Sequence, residues 1–388
     1  MFIFKSFKYL STSSGCISNI LNNSYFAHYN TKVDFFFNRK QELIKFRNVF
    51  NDEPQLHIVL GPPRQFDTPA NVYNSIKSEF KSFITAHRDF LERILGSKFK
   101  MSYSHLEAGF NFSDTKEISS INVRSLLNDI KNCLPQWTIW NSYNIPSPIL
   151  IIDEANMFDQ LGNSDPTLLK SFLNWMVLNT KQENRFNIVL TSSDSFFLNW
   201  IVNQLNVPHV TPYIVGDLSK EEAKEYFEKH VLPYYECKEL EGKFDHVCKI
   251  TGTRMMIIRM YVKEYKINKG KLKDSEFSVF RLEDDNLSFG LNPVRFQGKP
   301  APLWNKDDFI KVMKAIVEAE DRGYIKEMDL VNEIGVEKVR SLITYDLLHR
   351  RPTNNYANDI IDPPNEAILT AMNKPSIRAM ECRLYDID

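Results

Sequence analysis

The sequence predicts an α/β fold in which a parallel sheet has helices on both faces. Four short segments of continuously apolar residues support this prediction, because such segments are typical of strands that helices cover on both sides. They are residues 56–60, 148–152, 186–190 and 210–215. Segments with helical periodicity lie between them, and strands that alternate with helices indicate a doubly wound arrangement.

Length and composition are those of an ordinary globular protein with about two to three domains. The chain has 388 residues, of which 43% are hydrophobic and 25% charged, and its net charge is −1. This balance gives no reason to expect a nucleic acid or an acidic membrane as partner of the whole chain. Five cysteines without C-x-x-C spacing indicate reduced thiols and an intracellular location. No apolar segment approaches the roughly 18 residues of a membrane span.

The N-terminal 32 residues differ in composition from the rest of the chain. They contain three lysines and six serines, and no acidic residue precedes Asp34. Such a composition is that of a mitochondrial transit peptide or of an unstructured tail. The tail contains no arginine, so the sequence leaves both a mitochondrial and a cytoplasmic location open.

Residues 33–217 form the predicted α/β core. A helix is expected over residues 38–50, where Asn38 is a plausible N-cap with Gln41 three residues on. The strand at residues 56–60 leads into the turn Gly61-Pro62-Pro63. Three further helices are expected from periodicity, over residues 68–96, 121–132 and 166–179.

The C-terminal part divides into a helical lid, a linker and a small domain. Ser219 and Glu222 have the spacing of a capping box and begin the lid, residues 218–270. Residues 271–303 are rich in glycine and proline and are predicted to be an irregular linker. Three short helices and a hairpin within residues 304–388 predict a winged-helix domain.

An acidic pair follows the second predicted strand. Asp153 and Glu154 come directly after Pro148–Ile152, and parallel strands present their carboxyl ends to the ligand crevice. In a site that hydrolyses a nucleotide, Asp153 would hold Mg²⁺, directly or through water, and Glu154 would polarise the attacking water. The structural alternative is a strand that simply ends in exposed acids.

Two further segments are candidates for contacts with nucleotide. Ser192, Ser193 and Asp194 follow the third strand, where a polar side chain can reach the γ-phosphate or the attacking water; they could equally cap the next helix. Arg254 lies in the lid within Gly252-Thr253-Arg254, where an arginine can approach phosphates or remain solvated at a helix start.

Six segments together resemble the archaeal-type ATPases of the STAND/AAA-like P-loop superfamily, and residues 340–352 look like the winged helix of its fungal members. The resemblance implies ATP and Mg²⁺ as ligands. It also implies that Phe36, Asn38 and Arg39 lie near the adenine and that Gly61-Pro62-Pro63 begins the phosphate loop. The six segments are FFNRKQEL (36–43, read from Phe36), HIVLGPP (57–63), LIIDEAN (150–156), IVLTSSD (188–194), VGDLSKEEA (215–223) and TGTRM (251–255).

The chain departs from this family at the phosphate loop. No G-x-x-x-x-G-K-[ST] occurs, and Gly61-Pro62-Pro63 passes directly into Arg64. The Walker A lysine, the magnesium hydroxyl and a helix and strand of about 25 residues are therefore missing. Either the sequence is a gene-model or splice product that lacks one exon, or the protein is a degenerate relative.

Three functions follow as hypotheses. The protein is a nucleotide-dependent switch or regulator with impaired ATP hydrolysis, a pseudo-ATPase scaffold, or a module that binds protein or DNA through its winged helix. Arg340, His349, Arg350 and Arg351 surround the candidate recognition helix and favour DNA contact. Glu333, Glu337 and Asp346 dilute this charge, so protein partners through lid and winged helix are the stronger expectation.

Overall fold

The computed structural model describes residues 55–60, 69–110, 118–205, 210–295, 300–352, 359–360, 362 and 364–387. The chain forms two compact units, residues 1–213 and 214–388. The predicted tail at residues 1–32, the helix at 38–50 and the turn at Gly61 lie outside the described residues.

The sheet of the first unit confirms the four predicted strands. Their order is β2-β3-β1-β4, and β3 pairs in parallel with both β1 and β2. The strands are β1 Leu56–Leu60, β2 Ile149–Ile152, β3 Asn187–Ser192 and β4 Val210–Ile214. Successive residues from Asn187 to Leu190 are all buried, so protein covers both faces of the central strand.

Helices of the first unit follow the predicted order, with one interruption. The expected helix at residues 68–96 is divided at His87, whose imidazole packs against Phe83 and Trp140 with ring centroids 4.6 and 5.9 Å apart. Burial lowers the pKa of His87, as expected for a packing residue. The helices are α1 Pro69–Ala86, α2 Arg88–Leu95, α3 Ser97–Phe110, α4 Ser120–Cys133, α5 Trp137–Ser142, α6 Phe158–Ser164, α7 Pro166–Val177 and α8 Phe197–Leu205.

The second unit begins with the predicted capping box. Ser219 Oγ accepts a hydrogen bond from Glu222 N at 3.2 Å, and the Glu222 carboxylate accepts one from Ser219 N at 3.1 Å. This exchange satisfies two backbone donors at the start of the helix. The helices that follow are α9 Lys220–Tyr226, α10 Leu232–Tyr235, α11 Phe244–Thr251, α12 Met255–Ile267 and α13 Ser278–Leu291.

Helix α13 corrects the prediction of an irregular linker at residues 271–303. Gly290 lies in its last turn, where a Cβ atom would come within 2.4 Å of Phe309 Cε1. The indole Nε1 of Trp304 donates to Gly290 O at 2.9 Å. This glycine therefore serves close packing between helix and aromatic ring rather than a chain turn, which sequence composition alone does not distinguish.

The C-terminal residues have the arrangement of a winged helix. Helices α14 Lys306–Glu318, α15 Glu327–Ile334 and α16 Val336–Thr344 accompany three short antiparallel strands in the order β5-β7-β6. The strands are β5 Ile325–Lys326, β6 His349–Arg351 and β7 Ile368–Thr370. A further helix, α17 Lys374–Ile387, was not predicted; Asn373 Oδ1 accepts from Ser376 N at 2.9 Å at its start.

A buried histidine in β1 links the stability of the sheet to pH. His57 is fully buried, and burial lowers its pKa from 6.5 to about 4, against an opposing hydrogen bond with Asn187. As the pH falls below 6.5, the unfolded chain therefore binds a proton that the native state does not. We expect the free energy of unfolding to decline towards pH 4, by at most about 1.4 kcal/mol per pH unit from this group.

Urea unfolding between pH 7 and pH 5 measures this dependence. The variant His57→Leu, which has no titrating side chain in the strand, should show the shallower slope. His105→Gln, a change at an exposed histidine of α3, serves as control and should keep the wild-type slope. Equal slopes for wild type and His57→Leu would show that His57 does not limit stability.

Candidate functional site

The ends of three parallel strands lie side by side in the first unit. The register places Ile152 of β2 beside Leu190 of β3, and Leu60 of β1 beside Ser192. The residues after Ile152 and Leu190 therefore meet at one edge of the sheet. We call this the carboxyl edge, which in parallel sheets is where ligands bind.

Asp153 and Thr191 contact each other at the carboxyl edge. The Thr191 hydroxyl donates a hydrogen bond to Asp153 Oδ1, and the Asp153 side chain is exposed. An exposed carboxylate beside a hydroxyl presents hard oxygen donors, the type that Mg²⁺ prefers. The placement agrees with the metal role predicted for Asp153, which stays a prediction.

Glu154 has a different environment from its neighbour. Its backbone is left-handed, with φ 59° and ψ 42°, and only 5% of its surface is exposed. Non-glycine residues adopt this conformation at an energetic cost and often at functional sites. The turn thus directs Asp153 to solvent and Glu154 into protein, so Asp153 is the better placed to meet an incoming cation.

Ser192 and Asp194 shape the turn that follows β3. The buried Ser192 hydroxyl donates to Asn156 Oδ1 and accepts from Asp194 N, both at 3.1 Å. Asp194 Oδ1 in turn accepts from Phe196 N at 2.8 Å, just before α8. These are the contacts of the capping alternative. The half-buried Ser193 lies between them.

Negative charge accumulates at the carboxyl edge. Partial loss of hydration raises the pKa of Asp194, although its surface is classed as exposed, and the charge of Asp159 acts in the same direction. The Phe196 N–H opposes this rise. A phosphate group needs positive charge, so a ligand with phosphates would have to bring a cation to this edge.

Arg254 belongs to the second unit and is already paired there. It precedes α12, and its Nε donates to Asp217 Oδ1 at 2.8 Å while 40% of the side chain is exposed. The ion pair leaves part of the guanidinium accessible to solvent. Contact between Arg254 and a nucleotide stays a prediction.

The remaining predicted ligands lie outside the described residues. They are Phe36, Asn38, Arg39, Gly61, Pro62 and Pro63. Conversely, the structure adds Thr191 and Asn156, which sequence reasoning passed over although both stand within the quoted segments. Strand register was the missing information, because only the pairing of β2 with β3 shows which polar side chains face each other.

The basic cluster predicted for the winged helix is neutralised. Arg350 makes two hydrogen bonds to the Glu327 carboxylate, at 2.7 and 2.9 Å. Arg351, whose side chain is 7% exposed, makes two to Asp359 at 2.7 and 3.0 Å. Among these four residues, Arg340 keeps an exposed side chain, 3.7 Å from Glu337.

His349 adds no positive charge to the same surface. Burial, with the nearby charges of Arg351 and Arg254, lowers its pKa to about 4 despite the opposing carboxylate of Asp359. The imidazole is therefore neutral at physiological pH. The expectation of a basic DNA-contacting patch at Arg340, His349, Arg350 and Arg351 is corrected accordingly.

Metal ligands and membrane spans were sought within the described residues. In those parts of the chain, no three His, Cys, Asp or Glu side chains come together as a ready metal site. Mg²⁺ often binds through one or two carboxylates together with substrate phosphates and water, so this finding does not count against Asp153. Within the same parts, no helix is both long and apolar enough to cross a membrane.

Known proteins similar to this chain include two from Methanocaldococcus jannaschii, both described as uncharacterized ATP-binding proteins. One is 21% identical over 307 residues, which is 72% of this chain and 82% of that protein. The other is 23% identical over 314 residues, 74% of this chain and 85% of that protein. A comparison with models of protein families found no match.

Among solved structures, a Walker-type ATPase of Pyrococcus abyssi aligns with 89% of this chain and 96% of its own length. The sequence identity is 12% and the TM-score 0.47. A TM-score of this size supports no argument about shared chemistry. The two curated relatives therefore provide the functional comparison, and they share ATP binding.

The buried hydroxyl of Ser192 allows its structural role to be measured. Replacing Ser192 by alanine leaves Asn156 Oδ1 and Asp194 N without this partner, so we expect the free energy of unfolding to fall by about 1–2 kcal/mol. The adjacent change Ser193→Ala is the control and should cost less than about 0.5 kcal/mol. Chemical denaturation compares them, and equal costs would contradict the structural role.

Arg351 provides a second test, at the winged helix. Replacing Arg351 by glutamine leaves the buried Asp359 carboxylate without its ion pair, and we expect a loss of about 3 kcal/mol in unfolding free energy. Arg340→Gln changes an exposed pair and should cost less than about 1 kcal/mol. A small effect at Arg351, together with salt-dependent loss of duplex DNA binding, would instead restore the DNA hypothesis.

Proposed function

We propose that the carboxyl edge is the metal-facing half of an ATP site, in a degenerate member of the archaeal-type P-loop ATPases. The protein would act as a nucleotide-dependent switch or regulator with impaired hydrolysis. The observation that supports this most directly is the meeting of exposed Asp153 with Thr191 at the ends of neighbouring parallel strands. The two ATP-binding relatives support the choice of nucleotide.

In this proposal each residue of the edge has a defined task. Asp153 holds Mg²⁺, directly or through water, and the Thr191 hydroxyl fixes the orientation of its carboxylate. Glu154 would polarise a water molecule near the terminal phosphate. The oxygen donors present fit a hard cation, and bound Mg²⁺ would supply the positive charge that offsets the phosphates.

The phosphate-facing half of the site is incomplete. The sequence contains no G-x-x-x-x-G-K-[ST], so it lacks the lysine that neutralises the phosphates and the hydroxyl that holds the metal. Binding would then depend on Mg²⁺ more than in a complete P-loop protein, and hydrolysis would be slow. A longer form of the chain with this segment would hydrolyse ATP normally.

Protein partners are the most suitable ligands of the winged helix. Its arginines Arg350 and Arg351 are held in ion pairs, which removes most of the charge that duplex DNA needs. A regulator that changes its affinity for another protein when ATP binds fits this surface better than a DNA-binding factor does.

Binding of a fluorescent ATP analogue, with and without Mg²⁺, tests the proposal. We expect Mg²⁺-dependent binding by the wild type and an affinity about tenfold lower in Asp153→Ala, which corresponds to about 1.4 kcal/mol. Asp321→Ala, a change at an exposed aspartate after α14, is the matched control and should bind as the wild type does.

A pseudo-ATPase scaffold is the second candidate, and the missing lysine favours it. A ligand that binds the native state raises the melting temperature, whereas a scaffold without a nucleotide site shows no change. A folded wild type that neither binds the analogue nor melts at a higher temperature with saturating Mg-ATP would establish the scaffold instead.

A further inference from the structure

The turn between α11 and α12 is held in an unusual conformation. Gly252 has φ 67° and ψ −155°, a region that side chains other than glycine rarely adopt. Two residues later, Arg254 pairs with Asp217, from the segment before α9. We call residues 251–254 the lid turn.

Helix α17 is fastened to the lid turn at two points. A Cβ atom on Gly252 would lie 2.8 Å from Lys374 Cβ, so the backbone of the turn contacts the first residue of α17 directly. One helical turn later, Arg378 Nε donates to Lys249 O at 3.0 Å. Close-packed contacts of this kind transmit displacements because they cannot be compressed.

The same two cations of α17 bind a carboxylate beyond α14. Lys374 Nζ and Arg378 Nη2 both donate to Glu320 Oε1, and Arg378 also binds Glu381 at 2.6 Å. Burial alone would raise the pKa of Glu320, but Lys374 and Arg378 lower it below its ordinary value. Glu320 is therefore ionised at neutral pH and anchors the start of α17.

We propose that α17 is a relay that couples the carboxylate of Glu320 to the position of Arg254. The route runs from Glu320 to Lys374 and Arg378, and from these to the lid turn. A partner that displaces the end of α14 or the start of α17 would thereby move Arg254 away from Asp217. This coupling belongs to the second unit and does not depend on nucleotide binding.

Nuclear magnetic resonance of the full-length chain tests the relay. The Nε–Hε signal of Arg254, identified by its disappearance in Arg254→Gln, reports the ion pair with Asp217. Asp217→Asn defines the position of this signal when the pair is weakened. Glu320→Gln, which does not touch Arg254, should move the signal towards the Asp217→Asn position.

Glu318→Gln is the matched control, because Glu318 is exposed and lies two residues earlier on the same helix end. It should leave the Arg254 signal in place. Lys374→Ala is a second variant that keeps the Cβ against Gly252 and removes only the ammonium group; it should act as Glu320→Gln does. An unmoved Arg254 signal in both Glu320→Gln and Lys374→Ala would overturn the relay.

Discussion

The parallel pairing of β3 with both β1 and β2 determines which side chains can act together in the first unit. The register fixes the relative heights at which the three strands end, so Asp153 meets Thr191 and β1 ends beside Ser192. A slip of one residue would reverse the faces of β3 and separate these groups. Buried residues on both faces of the strand oppose such a slip.

The chemistry of the carboxyl edge is unbalanced, and this imbalance defines the proposed mechanism. Carboxylates and hydroxyls are present where a metal ion and water would lie, whereas the sequence has no Walker A lysine for the phosphates. Positive charge would have to come with the ligand as Mg²⁺. A site of this kind resembles a sensor that responds to the metal–nucleotide complex more than an enzyme built for turnover.

Local signals made much of the fold predictable, and long-range contacts account for what was missed. The apolar strands, the capping box at Ser219 and the acids after β2 follow from short segments, and all are present in the structure. Gly290 was misread as part of a linker because its partner, Phe309, lies 19 residues further on. The charge of Arg350 was overestimated because Glu327 pairs with it from another element.

Gly252 offers experimental control over the second unit. Its positive φ and its contact with Lys374 are independent requirements, so no partner change at position 374 could rescue a larger residue at position 252. A single added methyl group would strain the lid turn without touching Glu320, Arg378 or Asp217. The substitution Gly252→Ala is therefore a natural choice for a temperature-sensitive allele, folded when cold and inactivated by mild warming in living cells.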